Sequence, residues 1–433
     1  MLNRTEAPAF KQIEDIQFIK AQKHVLTNQI PVFVVNAGDQ DLVRIEFIFS
    51  NSAWDINRPI MPSVTNSMLT EGTHSLSSAQ IAAKIDYYGA FFQAEYGYDQ
   101  SSLTLYALNK HIANTLPIIK EMLTGSIFPD KELETLLRNA KQRLKVGLEK
   151  NDVLARRSFL NALFGDSIYG YNNTLEDYDN VKKDHLINYY SKVYHPKNCT
   201  IVMSGKISQE QVSLINQLFG NWEGATQNHQ FEVNFSSSSD KLHYTERKDA
   251  LQSAIRIGMP SINRTHPDFI GLQILNTVLG GYFGSRLMAN IREDKGYTYG
   301  IGSGIASLQH AGYFFIGTEV GVDVTQNTLT EIEKEVNILK SELINEQELA
   351  LVKNYLMGSL LGSLENAFSH ADKFKNLHFY GLDYTYYDRY TQTVKNITPQ
   401  ELMVLANKYW DYLTEGGKIH FGNFKKNIVN STL

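Results

Sequence analysis

The sequence predicts an α+β fold made of two homologous domains, each a mainly antiparallel sheet with helices packed on one face. The chain has 433 residues, which exceeds the usual size of one domain. The same order of strand-like and helix-like patterns occurs twice, and the long helical stretches of the two halves match at a constant offset. We therefore predict an N-terminal domain at residues 1–218, a linker at 219–240 and a C-terminal domain at 241–433.

Each half opens with an alternating strand pattern, followed by a helical segment that begins at a proline. The strands are predicted at residues 42–49 and 252–260, and the helices at 62–69 and 267–279. Alternation of apolar and polar residues is typical of a half-buried strand, and proline is favoured in the first turn of a helix. A glycine follows each helical segment, first at Gly72, and is interpreted as a C-terminal stop.

The later part of each half is a series of helices that correspond at a fixed spacing. Leu133 corresponds to Leu349, 216 positions later, and the same offset carries through to Tyr194 and Trp410. The register holds without a gap across more than sixty residues. Two helical bundles that merely look alike would not keep one register, so we interpret the match as an internal duplication.

A final strand is expected after each helical series, and a polar linker is expected between the halves. The strand patterns are CTIVMSGKI at 199–207 and GGKIHFGNF at 416–424. Residues 221–230 read NWEGATQNHQ, and four serines stand at 236–239. Such a polar, Ser-rich composition is typical of a linker.

Composition and charge exclude several classes of function. The net charge is −5 and no basic run occurs, so the sequence lacks the electrostatic pattern of a nucleic-acid-binding protein. The longest apolar runs, such as residues 45–49, are far shorter than the ~20 residues of a membrane-spanning helix. We therefore predict no nucleic-acid partner and no membrane partner.

The N-terminal residues and the single cysteine bear on cellular location. The first fifteen residues contain no apolar segment of the signal-peptide type. Cys199 is the single cysteine, lies in a strand pattern and is interpreted as a buried structural thiol. These features favour a cytoplasmic location; a periplasmic location would require that a signal peptide has been removed.

Five short motifs occur in a fixed order along the chain. They are NQIPVFVV at 28–35, MLTEGT at 68–73, YYGAFF at 87–92, YHPKN at 194–198 and GSRLMANIREDKGYTYG at 284–300. With these motifs in this order and spacing, the chain resembles the insulinase/pitrilysin family of zinc peptidases, which includes mitochondrial processing peptidase and its bacterial relatives. The resemblance covers nearly all of the chain, because members of the family are built from two homologous domains.

The resemblance locates the position of a zinc site, and the residues found there do not suit zinc. Catalytic members carry H-x-x-E-H on the helix before the MLxxGT-like turn; two imidazoles on one helix face hold the metal, and the glutamate acts as general base. The corresponding residues here are Ser63, Asn66 and Ser67. Neutral hydroxyls are poor zinc ligands, and an amide cannot accept a proton from water.

The third zinc ligand of catalytic members, a glutamate on a later helix, has no counterpart either. The matching stretch at 136–145 contains no acidic residue and is basic. No two of the twelve histidines lie within five positions of each other, and histidines such as His195, His370 and His378 are interpreted as structural or surface residues. We therefore predict no cofactor in this chain, with zinc expected in a partner subunit.

The resemblance also implies a catalytic pair that this chain retains. In catalytic pairs of the family, an arginine and a tyrosine seven positions apart contact the substrate opposite the zinc, and Arg292 and Tyr299 have this spacing. A positioned tyrosine hydroxyl can donate a hydrogen bond to the oxyanion that forms during peptide hydrolysis, and an arginine can hold neighbouring carbonyls. The plainer alternative is a solvated arginine at a helix end and an ordinary strand tyrosine.

Residues near this pair receive secondary assignments. Tyr297 is a substitute for Tyr299, because residues two apart lie on one face of a strand. Gly280 and Gly281 are expected to contact the substrate and to permit a tight turn beside it. Arg286 is expected to make structural contacts.

The resemblance implies that this chain is a non-zinc-binding subunit of a heterodimeric metallopeptidase. Its partner would be a homologous zinc-binding subunit, and an unfolded peptide would dock by adding a strand to a sheet edge. The alternatives are a catalytically inert scaffold or peptide-binding protein of the same fold, and an active homodimer with unrecognised metal ligands. A nucleophilic hydrolase has no support, because the sequence contains no G-x-S-x-G motif.

Overall fold

A computed structural model gives the fold and describes residues 13, 15–224, 233–247, 250–410, 412–415, 418–421 and 425–430. Its strands are β1 Gln22–Val25, β2 Pro31–Asn36, β3 Leu42–Ser50, β4 Phe91–Tyr96, β5 Gln100–Leu108, β6 Cys199–Gly205, β7 Leu242–Glu246, β8 Gln252–Ser261, β9 Ile301–Ser307, β10 Gly312–Gly321, β11 Tyr412–Glu415, β12 Lys418–Phe421 and β13 Lys425–Asn430. Its α-helices are α1 Met61–Met68, α2 Ser78–Tyr87, α3 Ile112–Thr124, α4 Asp130–Leu148, α5 Asn151–Phe164, α6 Leu175–Asp179, α7 Lys183–Val193, α8 Gln209–Phe219, α9 Phe269–Asn276, α10 Thr325–Ser341, α11 Glu346–Gly362, α12 Ala367–His378, α13 Thr385–Asn396 and α14 Pro399–Tyr409. Two segments, Thr277–Gly281 and Met288–Asp294, are π-helical. Within these described ranges, no helix is long and apolar enough to cross a bilayer.

The first half forms a six-stranded sheet in the order β1-β2-β6-β3-β5-β4. β2 and β6 pair in parallel, and the other neighbouring strands are antiparallel. Helices of the first half other than α5 cover one face of this sheet, and residues such as Phe47, Leu103 and Met203 are fully buried in the core between sheet and helices. β4 forms one edge of this sheet.

The second half forms a five-stranded sheet in the order β7-β13-β8-β10-β9, with β9 at one edge. β7 and β13 pair in parallel, and the remaining neighbours are antiparallel. Ile257, Ile316 and Leu339 are fully buried in its core. Apart from the extra strand β1, the two sheets share one topology, so the prediction of two duplicated, mainly antiparallel α+β units is confirmed.

The starting residues of three pairs of helices reproduce the offset read from the sequence. Each second-half helix begins 216 positions after its first-half counterpart: α4 and α11 at Asp130 and Glu346, α5 and α12 at Asn151 and Ala367, and α7 and α14 at Lys183 and Pro399. The first half ends with α8, and β7 opens the second half. The predicted linker lies between them, and its residues 225–232 are outside the described part of the chain.

Reciprocal side-chain caps fix where several helices begin. Ser77 caps α2 and Thr398 caps α14, each accepting a hydrogen bond from the backbone N–H three residues later. The side chains of Gln80 and Glu401 accept from the backbone N–H of the capping residue in return. Such capping boxes satisfy backbone donors that a helix start would otherwise leave unpaired.

The prediction for the last strand of the second half was wrong in part. CTIVMSGKI contains β6, a central strand, but the matching GGKIHFGNF contains β12, which pairs with β11 in a separate two-stranded sheet of the described residues. The place that β6 holds in the first sheet is taken in the second by β13, between β7 and β8. A hairpin precedes the last strand of the second half, so the constant offset ends there.

Each sheet is covered on its other face by a helix from the opposite half. α12 packs on β2 and β6 of the first sheet, where the rings of Phe374 and Phe33 lie 4.6 Å apart. α5 packs on β8 and β13 of the second sheet, where Ala155 is buried against Ala254. As predicted, each domain packs its remaining helices on one face of its own sheet. The other face of each sheet is covered by the exchanged helix, α12 on the first sheet and α5 on the second.

Four charged residues join β3 to α12 across this interface. Arg44 and Glu46 of β3 are buried, and Arg44 Nε lies 3.0 Å from Glu46 Oε2. Arg44 Nη2 lies 2.8 Å from Asp372 Oδ1, and Lys375 pairs with both Glu46 and Asp372. Burial alone would lower the pKa of Arg44, but the Glu46 and Asp372 carboxylates outweigh it and raise that pKa. The guanidinium is therefore charged and ties the two halves together.

Candidate functional site

Helix α1 carries the three residues at the zinc-motif positions. It begins at Met61, and its apolar side is anchored in the core of the first half. Ser63 and Ser67 lie about one turn apart and are half-buried, so they share a helix face. The Ser63 hydroxyl donates a hydrogen bond of 3.0 Å to the Ile60 carbonyl.

Asn66, at the general-base position, makes three hydrogen bonds inside the core. Its residue surface is 1% exposed. Nδ2 donates to the carbonyls of Glu95 at 2.8 Å and Ser102 at 3.3 Å, and Oδ1 accepts from the Tyr194 hydroxyl at 3.0 Å. An amide can donate and accept at once, whereas a carboxylate can only accept. This position therefore serves to join α1 to β4, β5 and the end of α7.

The donor chemistry around α1 does not fit a zinc ion. α4 packs against α1, and its residues 136–145 include no carboxylate. Nowhere in the described ranges are three or more His, Cys, Asp or Glu side chains grouped so as to hold a metal ion. Two hydroxyls and an amide stand where imidazoles and a carboxylate would be needed, so chemistry that depends on zinc has no support on these residues.

The turn after α1 is held by the carboxylate of Glu121 from α3. It accepts hydrogen bonds from Thr73 Oγ1 at 2.6 Å and from the Ser75 N–H at 3.0 Å. Burial would raise the pKa of Glu121, but hydrogen bonds from Ser75 and Thr73 outweigh it and lower that pKa. Gly72 in this turn has φ +152°, and a Cβ there would lie 2.8 Å from Pro129 Cγ. Glycine is thus needed within the turn and does not form the stop of α1, which ends earlier.

The histidines expected to be structural have packing roles. His370 Nδ1 accepts a hydrogen bond of 3.3 Å from the Ile19 N–H. The ring of His378 stacks on Phe374 with centroids 5.3 Å apart, and His195 is buried. Burial lowers the pKa of both His370 and His378, so both favour the neutral form.

Arg292 and Tyr299 lie together on an exposed surface of the second half. Arg292 belongs to the π-helical segment Met288–Asp294 and Tyr299 to the loop before β9. The guanidinium carbon of Arg292 lies 4.7 Å from the ring centroid of Phe283 and 6.0 Å from that of Tyr299. Tyr299 is 95% exposed and Phe283 is 65% exposed. We call Phe283, Arg292 and Tyr299 the Arg292 cluster.

The Arg292 cluster has unused binding capacity. Within the described residues, the Tyr299 hydroxyl makes no hydrogen bond, and the ion pair of Arg292 is a long one of 3.8 Å to Glu293. A guanidinium between two aromatic rings is held by cation–π attraction while its N–H groups stay free to donate. The cluster can therefore present a phenol and a guanidinium to a bound group.

The argument that Tyr297 can substitute for Tyr299 because both lie on one strand face was wrong. β9 begins at Ile301, so both tyrosines lie in the preceding loop and not on one strand face. Tyr297 is packed against the second core, and its N–H donates to the Ile291 carbonyl at 3.0 Å. The π-helical segment continues to Asp294, so β9 begins later in the sequence than the predicted strand. The alternative of an ordinary strand tyrosine at position 299 is wrong for the same reason.

Gly280 and Gly281 end the π-helical segment Thr277–Gly281. A Cβ on Gly280 would lie 2.7 Å from the backbone nitrogen of Ser303, so the close packing of this segment on β9 requires glycine. The expected tight turn follows directly, at 282–285, where a backbone hydrogen bond of 3.1 Å closes it. Contact of either glycine with a substrate stays a prediction.

Arg286 makes the structural contact that was expected of it. Its Nε and Nη2 donate to the two carboxylate oxygens of Glu348 on α11, each at 2.8 Å. Burial acts to lower the pKa of Arg286, but Glu348 outweighs it and raises that pKa. This bidentate pair fixes the segment before the Arg292 cluster to α11.

A family comparison matches the region that joins the two halves. Residues 180–356 match the family described as "Peptidase M16 inactive domain". The curated Bacillus subtilis protein named "Uncharacterized zinc protease YmxG" is 27% identical over 304 residues, which cover 69% of this chain and 73% of that protein. The Helicobacter pylori protein named "Non-peptidase homolog YmxG" is 24% identical over 396 residues, which cover 88% and 90% of the two chains.

Solved structures contain the same fold. The crystal structure of a peptidase M16 inactive domain from Pseudomonas fluorescens superimposes with a TM-score of 0.85 at 21% identity, covering 95% of this chain and 98% of that chain. The names of the two curated relatives differ on activity, since one is called a zinc protease and the other a non-peptidase homolog.

Proposed function

Because this chain is an insulinase-type (M16) peptidase homologue, we propose that it is the non-zinc-binding subunit of a heterodimeric metallopeptidase. The partner in this proposal is a homologous subunit that binds the zinc. This chain contributes Arg292 and Tyr299 to the partner's active site.

The observation that carries the proposal is the exposure of the Arg292 cluster. A phenol and a guanidinium stand together on the surface, and Tyr299 is 95% exposed. Exposed aromatic rings beside an arginine are typical of binding surfaces, where such residues supply much of the affinity. The cluster has no evident role in this chain's own core, which favours a role toward another molecule.

The chemistry of the pair suits transition-state binding. Attack on a peptide carbonyl develops negative charge on its oxygen, and zinc in the partner would polarise that carbonyl. The Tyr299 hydroxyl can donate a hydrogen bond to this oxygen. Arg292 can hold a neighbouring carbonyl or keep the tyrosine ring in place through the 6.0 Å contact between guanidinium carbon and ring centroid.

A sheet edge on which an unfolded peptide can dock lies next to the Arg292 cluster in the sequence. β9 forms an edge of the second sheet and begins two residues after Tyr299. A peptide that adds as a further strand would pair through its backbone, so recognition would depend little on its side chains. The strand would then pass close to the phenol.

The test is an activity assay of the reconstituted pair. The purified chain is mixed with the homologous H-x-x-E-H subunit, and cleavage of an unfolded peptide is measured. We expect little cleavage by either chain alone, and a drop of about 100-fold in kcat with Tyr299→Phe, which removes one oxyanion donor. Tyr87→Phe is the matched control, because Tyr87 is also exposed, at 82%, but lies on α2.

Two results would contradict the proposal. Full activity of the zinc-binding subunit without this chain would show that Arg292 and Tyr299 are not needed. An unchanged rate with Tyr299→Phe in the reconstituted pair would remove the assigned role of the phenol. Arg292→Lys separates charge from the planar guanidinium, and we expect it to weaken cleavage less than Arg292→Ala.

The alternative function is a catalytically inert scaffold or peptide-binding protein of the same fold. It is favoured by the conversion of the general-base position into the buried hydrogen-bonding residue Asn66. Under this alternative, Tyr299→Phe leaves the activity of every partner unchanged, while loss of the whole chain disrupts an assembly. Pull-down of interacting chains by the wild type and by Tyr299→Phe distinguishes the two functions.

A further inference from the structure

A cavity of about 290 Å³ opens beside the start of α1, next to the former zinc-ligand position Ser63. Its walls come from α1, the hairpin between β4 and β5, α5 and the loop that follows α5. Arg156 and Arg157 of α5 are the only charged side chains that line it in the described part of the chain. A site that would hold a cation in a catalytic member is therefore flanked here by two positive charges.

Neither arginine forms an ion pair with a described carboxylate, although Asp177 is close enough to raise the pKa of Arg157 against the effect of burial. Arg156 is exposed, and no described carboxylate lies within ion-pair distance of it. Arg157 is half-buried and donates through Nη2 to the Asn173 carbonyl at 2.7 Å, which occupies one of its N–H groups. Burial lowers the pKa of Arg157, and the neighbouring charge of Arg156 acts in the same direction. An anion between the two guanidinium groups would relieve this repulsion.

The remaining polar groups of the cavity are hydrogen-bond donors or are already engaged. Tyr96 and Tyr98 make no side-chain hydrogen bond with the described residues, so their hydroxyls are available to donate. The Tyr169 hydroxyl donates to Asp99, whose other oxygen accepts from the Gln309 N–H at 3.0 Å. Both oxygens of Asp99 are thus occupied, and the carboxylate of Asp177 accepts a hydrogen bond from the hydroxyl of Tyr171, which also lines the cavity.

The cavity is continuous with a sheet edge. Tyr96, which lines it, is the last residue of β4, and β4 is the edge strand of the first sheet. A peptide that pairs with β4 would carry one of its groups to the cavity mouth. This continuity favours a peptide as the source of the anion over a free ion.

We infer that this cavity binds a carboxylate of a peptide that is paired with the edge of β4. The planar forks of Arg156 and Arg157 match the two oxygens of a carboxylate, and the Tyr96 and Tyr98 hydroxyls add further donors. The carboxylate comes from an acidic side chain or from the C-terminus of the peptide. The inference rests on the peptide binding of the proposed function and adds to it a second docking edge, β4 of the first sheet, with a preference for acidic peptides.

Trp54 gives a readout that is specific to this cavity. Its side chain lines the cavity and donates from Nε1 to the Pro59 carbonyl at 3.1 Å. The other two tryptophans, Trp222 and Trp410, are buried in the cores. Binding in the cavity should change the tryptophan fluorescence of the wild type, and should not change that of Trp54→Phe.

The experiment compares three short extended peptides of one neutral sequence. The first carries one glutamate and an amidated C-terminus, the second has glutamine in its place, and the third has glutamine and a free C-terminal carboxylate. We expect the glutamate or the free-carboxylate peptide to bind the wild type about 10-fold more tightly than the neutral peptide, since a charge-assisted hydrogen bond is lost without the anion. Which of the two binds more tightly identifies the source of the carboxylate.

Variants of the arginines locate the effect. Arg156→Gln combined with Arg157→Gln should abolish the preference for a carboxylate while the neutral peptide binds as before. Arg156→Glu, at an exposed position where folding is not at risk, should reverse the preference. Arg389→Gln, an exposed arginine of α13, is the matched control and should retain the preference.

Four outcomes would overturn the inference. Equal affinity for all three peptides would show that the cavity does not distinguish a carboxylate from a neutral group. Peptide docking itself would not be contradicted by that result. A preference that survives in the double variant would place the anion site elsewhere. Displacement by inorganic phosphate at concentrations far below those of acetate would assign the cavity to phosphate. If no peptide binds at all, docking on β4 and this inference fail, whereas the roles of Arg292 and Tyr299 are tested separately by the reconstituted activity.

Discussion

The hydroxyl of Tyr194 donates a hydrogen bond of 3.0 Å to Oδ1 of Asn66, at the position where a catalytic homologue would carry its general base. Asn66 simultaneously donates to two backbone carbonyls, those of Glu95 and Ser102. The loss of the catalytic glutamate is therefore not a simple deletion. The position has a structural role that a carboxylate cannot fill.

Asn66→Asp is expected to destabilise the first half by about 3 kcal/mol or more. The carbonyls of Glu95 and Ser102 would lose their N–H donor and would face a buried carboxylate instead. The free energy of unfolding in urea measures the effect. Burial raises the pKa of an introduced acid, so the loss should deepen as pH rises above the unfolded-state pKa. Ser63→Ala, on the same helix, is the control and should change stability by about 1 kcal/mol at most. A variant as stable as the wild type would show that the three hydrogen bonds contribute little.

Glu121→Gln should lose stability at neutral pH and not in acid. The pKa of Glu121 is lowered in the folded state from its ordinary value of 4.5, so its charge stabilises the fold above that value and the stabilisation disappears as pH falls through the folded pKa. Glutamine keeps an acceptor but not the charge, and we expect a loss of about 1 kcal/mol at pH 7. Urea unfolding of both proteins at pH 7 and near pH 3 measures it. A loss of equal size at both pH values would exclude a role for the charge.

Arg44→Met is expected to cost about 3 kcal/mol or more, since Glu46 and Asp372 would lose their shared buried partner. Replacing Glu46 by methionine as well removes the other buried charge of β3 and leaves Asp372 and Lys375 to pair at 3.0 Å. The double variant should therefore be more stable than Arg44→Met alone. Urea unfolding of the four proteins of this cycle gives the coupling energy.

The exposed pair of Lys206 and Asp41 is the control for that cycle. Lys206→Met should leave the free energy of unfolding nearly unchanged, as is usual for solvated ion pairs. Additivity of the two substitutions in the buried network would contradict the arrangement of charges between β3 and α12.

Tyr299→Ala is expected to leave stability unchanged within about 0.5 kcal/mol, because the side chain is almost fully exposed and packs in no core. The same variant should lose the activity proposed for the heterodimer. Thermal unfolding of the isolated chain, set beside the reconstituted activity, separates the two effects. A large loss of stability would mean that the tyrosine supports the fold and would weaken its assignment to the substrate.

Phe374→Ala is expected to cost about 3 kcal/mol and to loosen the opposite half of the molecule. The ring packs on Phe33 of β2 with centroids 4.6 Å apart. Hydrogen exchange of the β2 and β6 amides should therefore accelerate, although the substitution lies on α12. Val404→Ala, at a position that is 62% exposed on α14, is the control and should leave exchange unchanged. Exchange that changes only within α12 would contradict the coupling of the halves.

The sequence predicted the duplication well because helix starts are encoded locally. Caps and apolar spacing act over a few residues, so the starts of α4, α5 and α7 recur in register. The alternation of residues 42–49 also predicted β3, but it places Arg44 and Glu46 on the polar face of the strand. Both are buried, because α12 reaches them from more than 300 positions away. No local pattern contains that contact.

The candidate site was predictable only in its motif-bearing part. The family resemblance of GSRLMANIREDKGYTYG identified Arg292 and Tyr299. Phe283 was missed, and a large aromatic residue beside glycines in GGYFGSR was the available signal. The π-helical segment Met288–Asp294 places Tyr299 in a loop before β9. This placement could not be predicted, because a π-helix has no clear signature in sequence. The cavity lined by Arg156 could not be predicted from the sequence, because four separate segments of the chain form it.

Because α5 and α12 are exchanged between the halves, the peptide link is not needed to keep the two halves together. Each half carries a helix that completes the other, so the halves are held together by packed surface and buried charge as well as by the peptide link between them. A protease cut between Gly224 and Val233 should leave both fragments associated, and co-expression of the two pieces should reconstitute the molecule. Either fragment produced alone would expose an uncovered sheet face and should aggregate.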